Sequence, residues 1–275
     1  MRTIFRETLH KGLIQEIIIK KVLVDKKSQY QRIQIFDTPV YGRVLALDGI
    51  IQVTEKDESA YSEMLVHPAM QVIKNPKKVL IIGGGDGAVA EEVLKYKFIE
   101  KIDLVDIDEE VVSLSKKYFK KINNNSLKNN RVKFYFEDAY DFILTTKNKY
   151  DLIIADRPDP VGAGKSLFKE KFYKNMNNIL SPLGVSVFQS GVVFLQKSET
   201  KEVIKHVKST FKNSGIILTV VPSYIGGHMV LVWGSNKIDL SKNKIVSKRE
   251  KVKTLYFNEE IRKKALCTSN LVKFL

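Results

Sequence analysis

From Thr3 to about Thr54 apolar and polar residues alternate with the period of strands, in Ile17-Ile18-Ile19, Lys21 to Val24, Arg32 to Phe36 and Arg43 to Leu47. Turn residues punctuate these runs at Asp37-Thr38-Pro39, Tyr41-Gly42 and Asp48-Gly49, so the pattern predicts hairpins and a small antiparallel β domain. The rhythm then changes. Tyr61 to Val72 reads as a helix, with Pro68 as a kink or break. Beyond Pro76 short apolar strands alternate with helical stretches: Val79 to Ile82, then Ala88 to Lys95; Ile102 to Ile107, then Glu109 to Phe119; Val132 to Phe136, then a short helix after Asp138; Tyr150 to Ala155, then Ser166 to Leu180. Val185 to Gln189, a helix over Ser198 to Phe211, and a closing hairpin of Ile216 to Val221 with Met229 to Trp233 complete the series. Apolar strands linked by helices predict an α/β, doubly wound, mostly parallel sheet covered on both faces. The change of period places a β-hairpin domain over residues 1–58 and a Rossmann-like domain over residues 59–275.

The stretch Val79 to Gly87, Val-Leu-Ile-Ile-Gly-Gly-Gly-Asp-Gly, is the first strand-to-helix turn of that sheet. Glycines such as Gly83 and Gly85 let the backbone turn sharply and approach a bound molecule. Asp86 decides the kind of ligand, because a carboxylate among the glycines repels the phosphates that such loops otherwise gather. A cationic ligand suits it, and an adenosyl sulfonium with a free amine meets the demand; the glycines alone are equally consistent with a tight turn in some other doubly wound sheet. More acids fall at strand ends: Asp106, Asp138, and the pair Asp156 and Asp159 stiffened by Pro158 and Pro160. Carboxyl ends of neighbouring parallel strands share one crevice, where five carboxylates call for cationic ligands. Asp106, 20 residues after Asp86, suits ribose hydroxyls, or else caps the following helix, a task for which Asp108 is better placed. Asp138 suits an adenine amino group or is a plain helix cap. Val161 to Ser166 has the composition of a loop that closes over substrate.

Composition narrows the function classes. With 275 residues and 44% hydrophobic content the chain buries a sizeable core, and no apolar run is long enough to span a bilayer. The N-terminus lacks the apolar centre of a signal peptide, which makes a cytoplasmic protein the expectation. The single cysteine, Cys267, reads as structural. The formal net charge of +15 raises the question of nucleic acid, yet the lysines spread over the whole chain, with only brief runs such as Lys248-Arg249-Glu250-Lys251. That is a generally basic surface rather than a specific nucleic-acid site. His67 and His228 read as structural.

Taken together the residues resemble the polyamine aminopropyltransferases. The match runs through Tyr30-Gln31, Tyr41 to Val44 with Leu47-Asp48-Gly49, Gln52 to Glu58, Tyr61 with Glu63-Met64, Val79 to Gly87, Asp156 to Asp159, Glu170 with Phe172-Tyr173, Gln189, Pro222-Ser223-Tyr224 and Tyr256-Phe257-Asn258. The resemblance implies a methyltransferase-like fold, a homodimer, and transfer of the aminopropyl group of decarboxylated S-adenosylmethionine to putrescine, giving spermidine and methylthioadenosine. It implies no metal and no cofactor, the sulfonium compound being a co-substrate. By position it implies that Asp156 is the catalytic base, hydrogen-bonded with Tyr61. Asp86 holds the donor's amine, and Gln31, Gly83, Gly85, Asp106, Asp138, Ala139 and Ala163 surround the nucleoside. Tyr61, Ser62, Asp159, Gln189 and Tyr224 face the acceptor. Ser62 stands where relatives carry His or Gln, Asp106 where Glu is usual, and Ala163 where Pro is usual; Arg157 beside a diamine site is unfavourable unless it turns away or is paired. The rival reading on this scaffold is an N-methyltransferase that uses S-adenosylmethionine itself on an amine.

Overall fold

The computed structural model describes residues 3–157, 166–242 and 252–266. Six strands come first: β1 (Ile4–Glu7), β2 (Gln15–Ile18), β3 (Lys21–Lys27), β4 (Arg32–Thr38), β5 (Gly42–Leu47) and β6 (Ile50–Thr54). β1 and β2 form a two-stranded antiparallel ribbon, and β3 to β6 form a four-stranded antiparallel sheet in sequence order. Alternation along β4 gives the sheet two apolar faces. Phe36, with Val44, Ala46 and Ile51, packs on Phe5 and Ile17 of the ribbon. Ile33 and Ile35 pack on the opposite side against Ala88, Val111, Phe119 and Ile122, so the N-terminal sheet shares a core with the rest of the chain.

The larger part follows: α1 (Glu58–Met70), β7 (Lys78–Gly83), α2 (Ala88–Leu94), β8 (Lys101–Val105), α3 (Glu109–Tyr118), α4 (Lys120–Asn123), β9 (Val132–Tyr135), α5 (Ala139–Thr145), β10 (Tyr150–Asp156), α6 (Glu170–Ile179), β11 (Leu180–Val192), α7 (Lys197–Thr210), β12 (Asn213–Val220), β13 (His228–Ser235) and α8 (Glu259–Ala265). Seven strands make one sheet in the order β12-β13-β11-β10-β7-β8-β9. The run from β11 to β9 is parallel, while β13 pairs antiparallel with both β11 and β12. Val79 and Ile81 face one core with α1 and α2, and Leu80 and Ile82 face a second with α5, α6 and α7. Burial on both faces accounts for the unbroken apolar run in β7.

α1 begins three residues earlier than the periodicity suggests and runs through Pro68 to Met70. Ten of its residues are buried, on every side of the helix, so it carries little of the one-sided pattern of a surface helix. Between α3 and β9 the chain forms α4 and then a 3₁₀ turn over Ser126–Lys128. The helix expected from Ser166 starts at Glu170, and β11 takes up the chain at Leu180 rather than at Val185.

Candidate active site

Parallel pairing puts the ends of β7, β8, β9 and β10 on one edge of the sheet. Register aligns Asp156 with Gly83. Gly83 has φ +76°, and a Cβ there would lie 2.0 Å from the Asp156 carbonyl oxygen; a Cβ on Gly85 would lie 2.5 Å from Asp106 Oδ2. The glycines are therefore what allows the loop to fold back among the acids. A cavity of about 300 Å³ opens above this edge, between it, α1 and the N-terminal sheet.

Asp86, Asp106, Asp138 and Asp156 all line that cavity, with Gln31, Gly83, Gly85, Tyr61, Ala139, Gln189 and Tyr224. Tyr61 donates its hydroxyl to Asp156 Oδ1 at 2.7 Å. Its ring meets that of Tyr224 edge to face at 5.9 Å, and the Tyr224 hydroxyl donates to the Gln52 carbonyl at 2.6 Å. Asp86 accepts from the Ala88 amide at 2.7 Å and Asp106 from the Asp108 amide at 2.9 Å. Asp108, not Asp106, caps α3, and it also accepts from Gln31 Nε2 at 3.0 Å and Ser28 Oγ at 2.7 Å. Asp138 caps α5 through the Tyr140 amide at 2.7 Å while still lining the cavity.

The electrostatics follow from burying acids together. Desolvation first, then the Asp86 charge, push Asp156 up to about 7, against the pull of the Tyr61 hydrogen bond. Desolvation likewise raises Asp106 to about 6 and drives Asp86 upward. Burial and the Asp156 charge hold the Tyr61 phenol well above its ordinary value, so it stays a donor. Such an array stabilises cations, and its central carboxylate is poised to take a proton near neutral pH.

Arg157 also lines the cavity, but its guanidinium is engaged by groups other than these acids. Its guanidinium donates to the Leu167 carbonyl, to the Tyr173 hydroxyl at 2.8 Å and to the Gln189 carbonyl at 3.3 Å, and lies 3.6 Å from the Phe168 ring centroid. Carbonyl, hydroxyl and ring partners thus hold the guanidinium in place.

Ser62 differs from expectation. It is fully buried, does not line the cavity, and its hydroxyl lies against Glu58, which does. The short side chain reaches only Glu58, one turn earlier on its own helix. Asp159 and Ala163 lie outside the described residues. Sequence reasoning did not single out Glu58 or Gln196, which also line the cavity. For Glu58 a signal existed in its place three residues before Tyr61, which puts both on one helix face. His67 is buried against Tyr96 and Glu92 at 2.9 and 2.8 Å, and desolvation lowers it to about 3.

Residues 58–244 match the family model described as spermine/spermidine synthase domain, and residues 3–55 the model described as spermidine synthase tetramerisation domain. The polyamine aminopropyltransferase of Buchnera aphidicola from Acyrthosiphon pisum is 40% identical over 262 residues, covering 94% of this chain and 92% of that protein. A spermidine synthase solved with the transition-state analogue AdoDATO superposes with a TM-score of 0.94 at 33% identity, covering 99% of this chain and 94% of that one. The Thermotoga maritima spermidine synthase gives 0.91 at 32%, covering 99% and 93%. Sequence and fold thus agree along almost the whole length, and the chain belongs to the spermine/spermidine synthase family of enzymes that transfer aminopropyl groups.

Proposed function

We propose that this enzyme is a spermidine synthase: it transfers the aminopropyl group of decarboxylated S-adenosylmethionine to putrescine, releasing spermidine and methylthioadenosine. The observation that carries the reading is the Tyr61–Asp156 pair, 2.7 Å apart, beside Asp86 at the edge of one acid-lined cavity. The amine nitrogen attacks the methylene next to the sulfonium, the carbon–sulfur bond breaks, and its electron pair leaves on sulfur as a neutral thioether. Asp156 takes the proton that the attacking ammonium must lose, at a carboxyl pushed up to about 7. Asp86 holds the donor's amine, Asp106 and Gln31 the ribose side, Asp138 and Ala139 the adenine. Tyr61, Gln189, Tyr224 and Asp159 hold the acceptor. An in-line displacement with a good leaving group needs positioning and a base, so neither metal nor cofactor enters the scheme.

We further propose a cytoplasmic homodimer. Assembly of copies is supported by the tetramerisation-domain match and by apolar side chains that stand 42–56% exposed, Ile4, Ile18 and Val22 on the N-terminal strands and Ile14 just before β2.

The test is mass spectrometry of the products from decarboxylated S-adenosylmethionine with putrescine, cadaverine, agmatine or spermidine in separate reactions, and from S-adenosylmethionine in parallel. Spermidine with methylthioadenosine is expected, with putrescine the best acceptor. Methylated amine from S-adenosylmethionine, without aminopropyl transfer, would overturn the reading in favour of an N-methyltransferase.

A further inference from the structure

Glu58 opens α1 and lines the cavity. Its Oε2 lies 2.8 Å from Ser62 Oγ, which is also 3.0 Å from the Glu58 carbonyl oxygen. A serine hydroxyl has one proton and can serve only one of these acceptors at a time. Glu91 and Glu92, the nearest acids on α2, are paired with Lys95 at 3.2 and 2.7 Å, whereas Glu58 makes no ion pair among the described residues. It feels the negative charges of Glu92, Asp86 and Glu91, of which Asp86 lines the same cavity. An independent sign of what this cavity takes comes from Gln189. It lines the same space, is 7% exposed, and its Oε1 has no hydrogen-bond partner among the described residues. A buried acceptor oxygen left without a donor calls for a ligand bearing N–H groups.

We infer that Glu58 is a second carboxylate of the ammonium subsite headed by Asp86, holding the propylamine nitrogen of the sulfonium donor from the α1 side. The inference rests on the donor assignment proposed above. Two carboxylates around one ammonium sharpen donor choice, because a donor that keeps its own carboxylate meets two negative groups rather than one. Burial and the neighbouring acids push Glu58 up to about 7, so it is readily ionised when an ammonium arrives. Ser62 is then a positioning residue: its hydroxyl fixes the Glu58 carboxylate and touches no substrate.

The experiment is calorimetric titration of wild type, Glu58→Gln and Ser62→Ala with decarboxylated S-adenosylmethionine, S-adenosylmethionine and methylthioadenosine, the last having the nucleoside without the ammonium. Glu58→Gln is expected to weaken the decarboxylated donor roughly tenfold, the worth of one charge-assisted contact, and to leave methylthioadenosine within about twofold. The preference over S-adenosylmethionine should narrow, and Ser62→Ala should move the same way by less. Unchanged donor affinity, or equal weakening of donor and methylthioadenosine, would overturn the inference. So would a raised acceptor KM with normal donor binding, which assigns Glu58 to the other amine. Should Glu58→Gln fail to fold, Glu58→Asp, with its carboxylate drawn back by one methylene, is expected to give an intermediate loss. A wild-type protein that binds methylthioadenosine but not the decarboxylated donor sinks the proposed function itself; normal wild-type turnover with an unaffected Glu58→Gln sinks only the role of Glu58.

Discussion

At the scale of single residues the chemistry rests on one carboxylate with two opposed neighbours. Burial raises Asp156 first, the Asp86 charge pushes it further up and the Tyr61 hydroxyl pulls it down, leaving it at about 7. A base works when ionised, so kcat/KM should rise with pH up to about 7 and flatten above it. Tyr61→Phe removes the donor and should shift that limb to higher pH, while Asp86→Asn removes the repelling charge and should shift it lower. Steady-state pH profiles of the two variants check this, and shifts in the same direction would contradict the assignment. Asp156→Asn keeps the shape and loses the base. Turnover should fall by on the order of 10²- to 10⁴-fold with donor affinity retained, and near-normal single-turnover rates would remove Asp156 from the role. The acids themselves were legible in the sequence because each stands at the end of an apolar run. The direction of Arg157 was not, since Phe168, Tyr173 and the Gln189 backbone, from separate parts of the chain, decide it together.

At the scale of elements, α1 links the site to the C-terminal segment. Glu63, two residues after Tyr61 and 1% exposed, accepts the amides of Leu255, Tyr256 and Phe257 at 2.7, 2.9 and 2.6 Å. Asp57, at the start of the same helix, accepts from Thr54 Oγ1 at 2.6 Å and the Ser223 amide at 2.7 Å. Glu63→Gln leaves amide donors facing an NH₂ group, and should cost roughly 2–4 kcal/mol of stability by urea unfolding. Because Tyr61 rides on α1, kcat should fall more than KM rises, and a stability loss with unchanged kcat would show that α1 needs no such anchor. The strand–glycine–helix unit of β7 and α2 was readable from local pattern. This clamp was not: Glu63-Met64 and Tyr256-Phe257-Asn258 each match the family, but their meeting is a carboxylate on backbone amides about 190 residues away, which leaves no paired side-chain signal. The early start of β11 was hidden for a related reason. Pro182 and Gly184 read as loop, while the strand is sustained by pairing of Leu180 with Tyr150 across a register shift.

At the scale of the whole molecule, charge is segregated. The chain carries a formal net charge of +15, yet its cavity is walled by carboxyls, of which Glu58 and Asp156 are pushed up to about 7 and Asp106 to about 6. These groups bind protons in the folded state that they would release when unfolded, since each native value lies above the ordinary one. Their contribution to stability is complete well below pH 4 and is lost as pH rises through 6 to 7. His67 acts in the opposite sense. Lowered to about 3 when folded, it contributes fully above its ordinary value of 6.5, and that contribution is lost as pH falls toward 3. Between about pH 5.5 and 8 the carboxyls outnumber the histidine, so the ligand-free protein should lose thermal stability across that window. A cationic donor reverses the balance, because an ammonium favours the ionised carboxylates and expels their protons. At pH 7 the donor's amine is already charged, so the released proton comes from the protein. Titration calorimetry with decarboxylated S-adenosylmethionine in phosphate and in Tris should therefore give apparent enthalpies that differ with buffer ionisation enthalpy, by on the order of one proton per site. The difference should shrink in Asp156→Asn, which has lost one of the titrating groups. Buffer-independent enthalpies in the wild type would mean that the cavity acids are already ionised, and that the repulsion raising Asp156 is relieved by something other than the ligand.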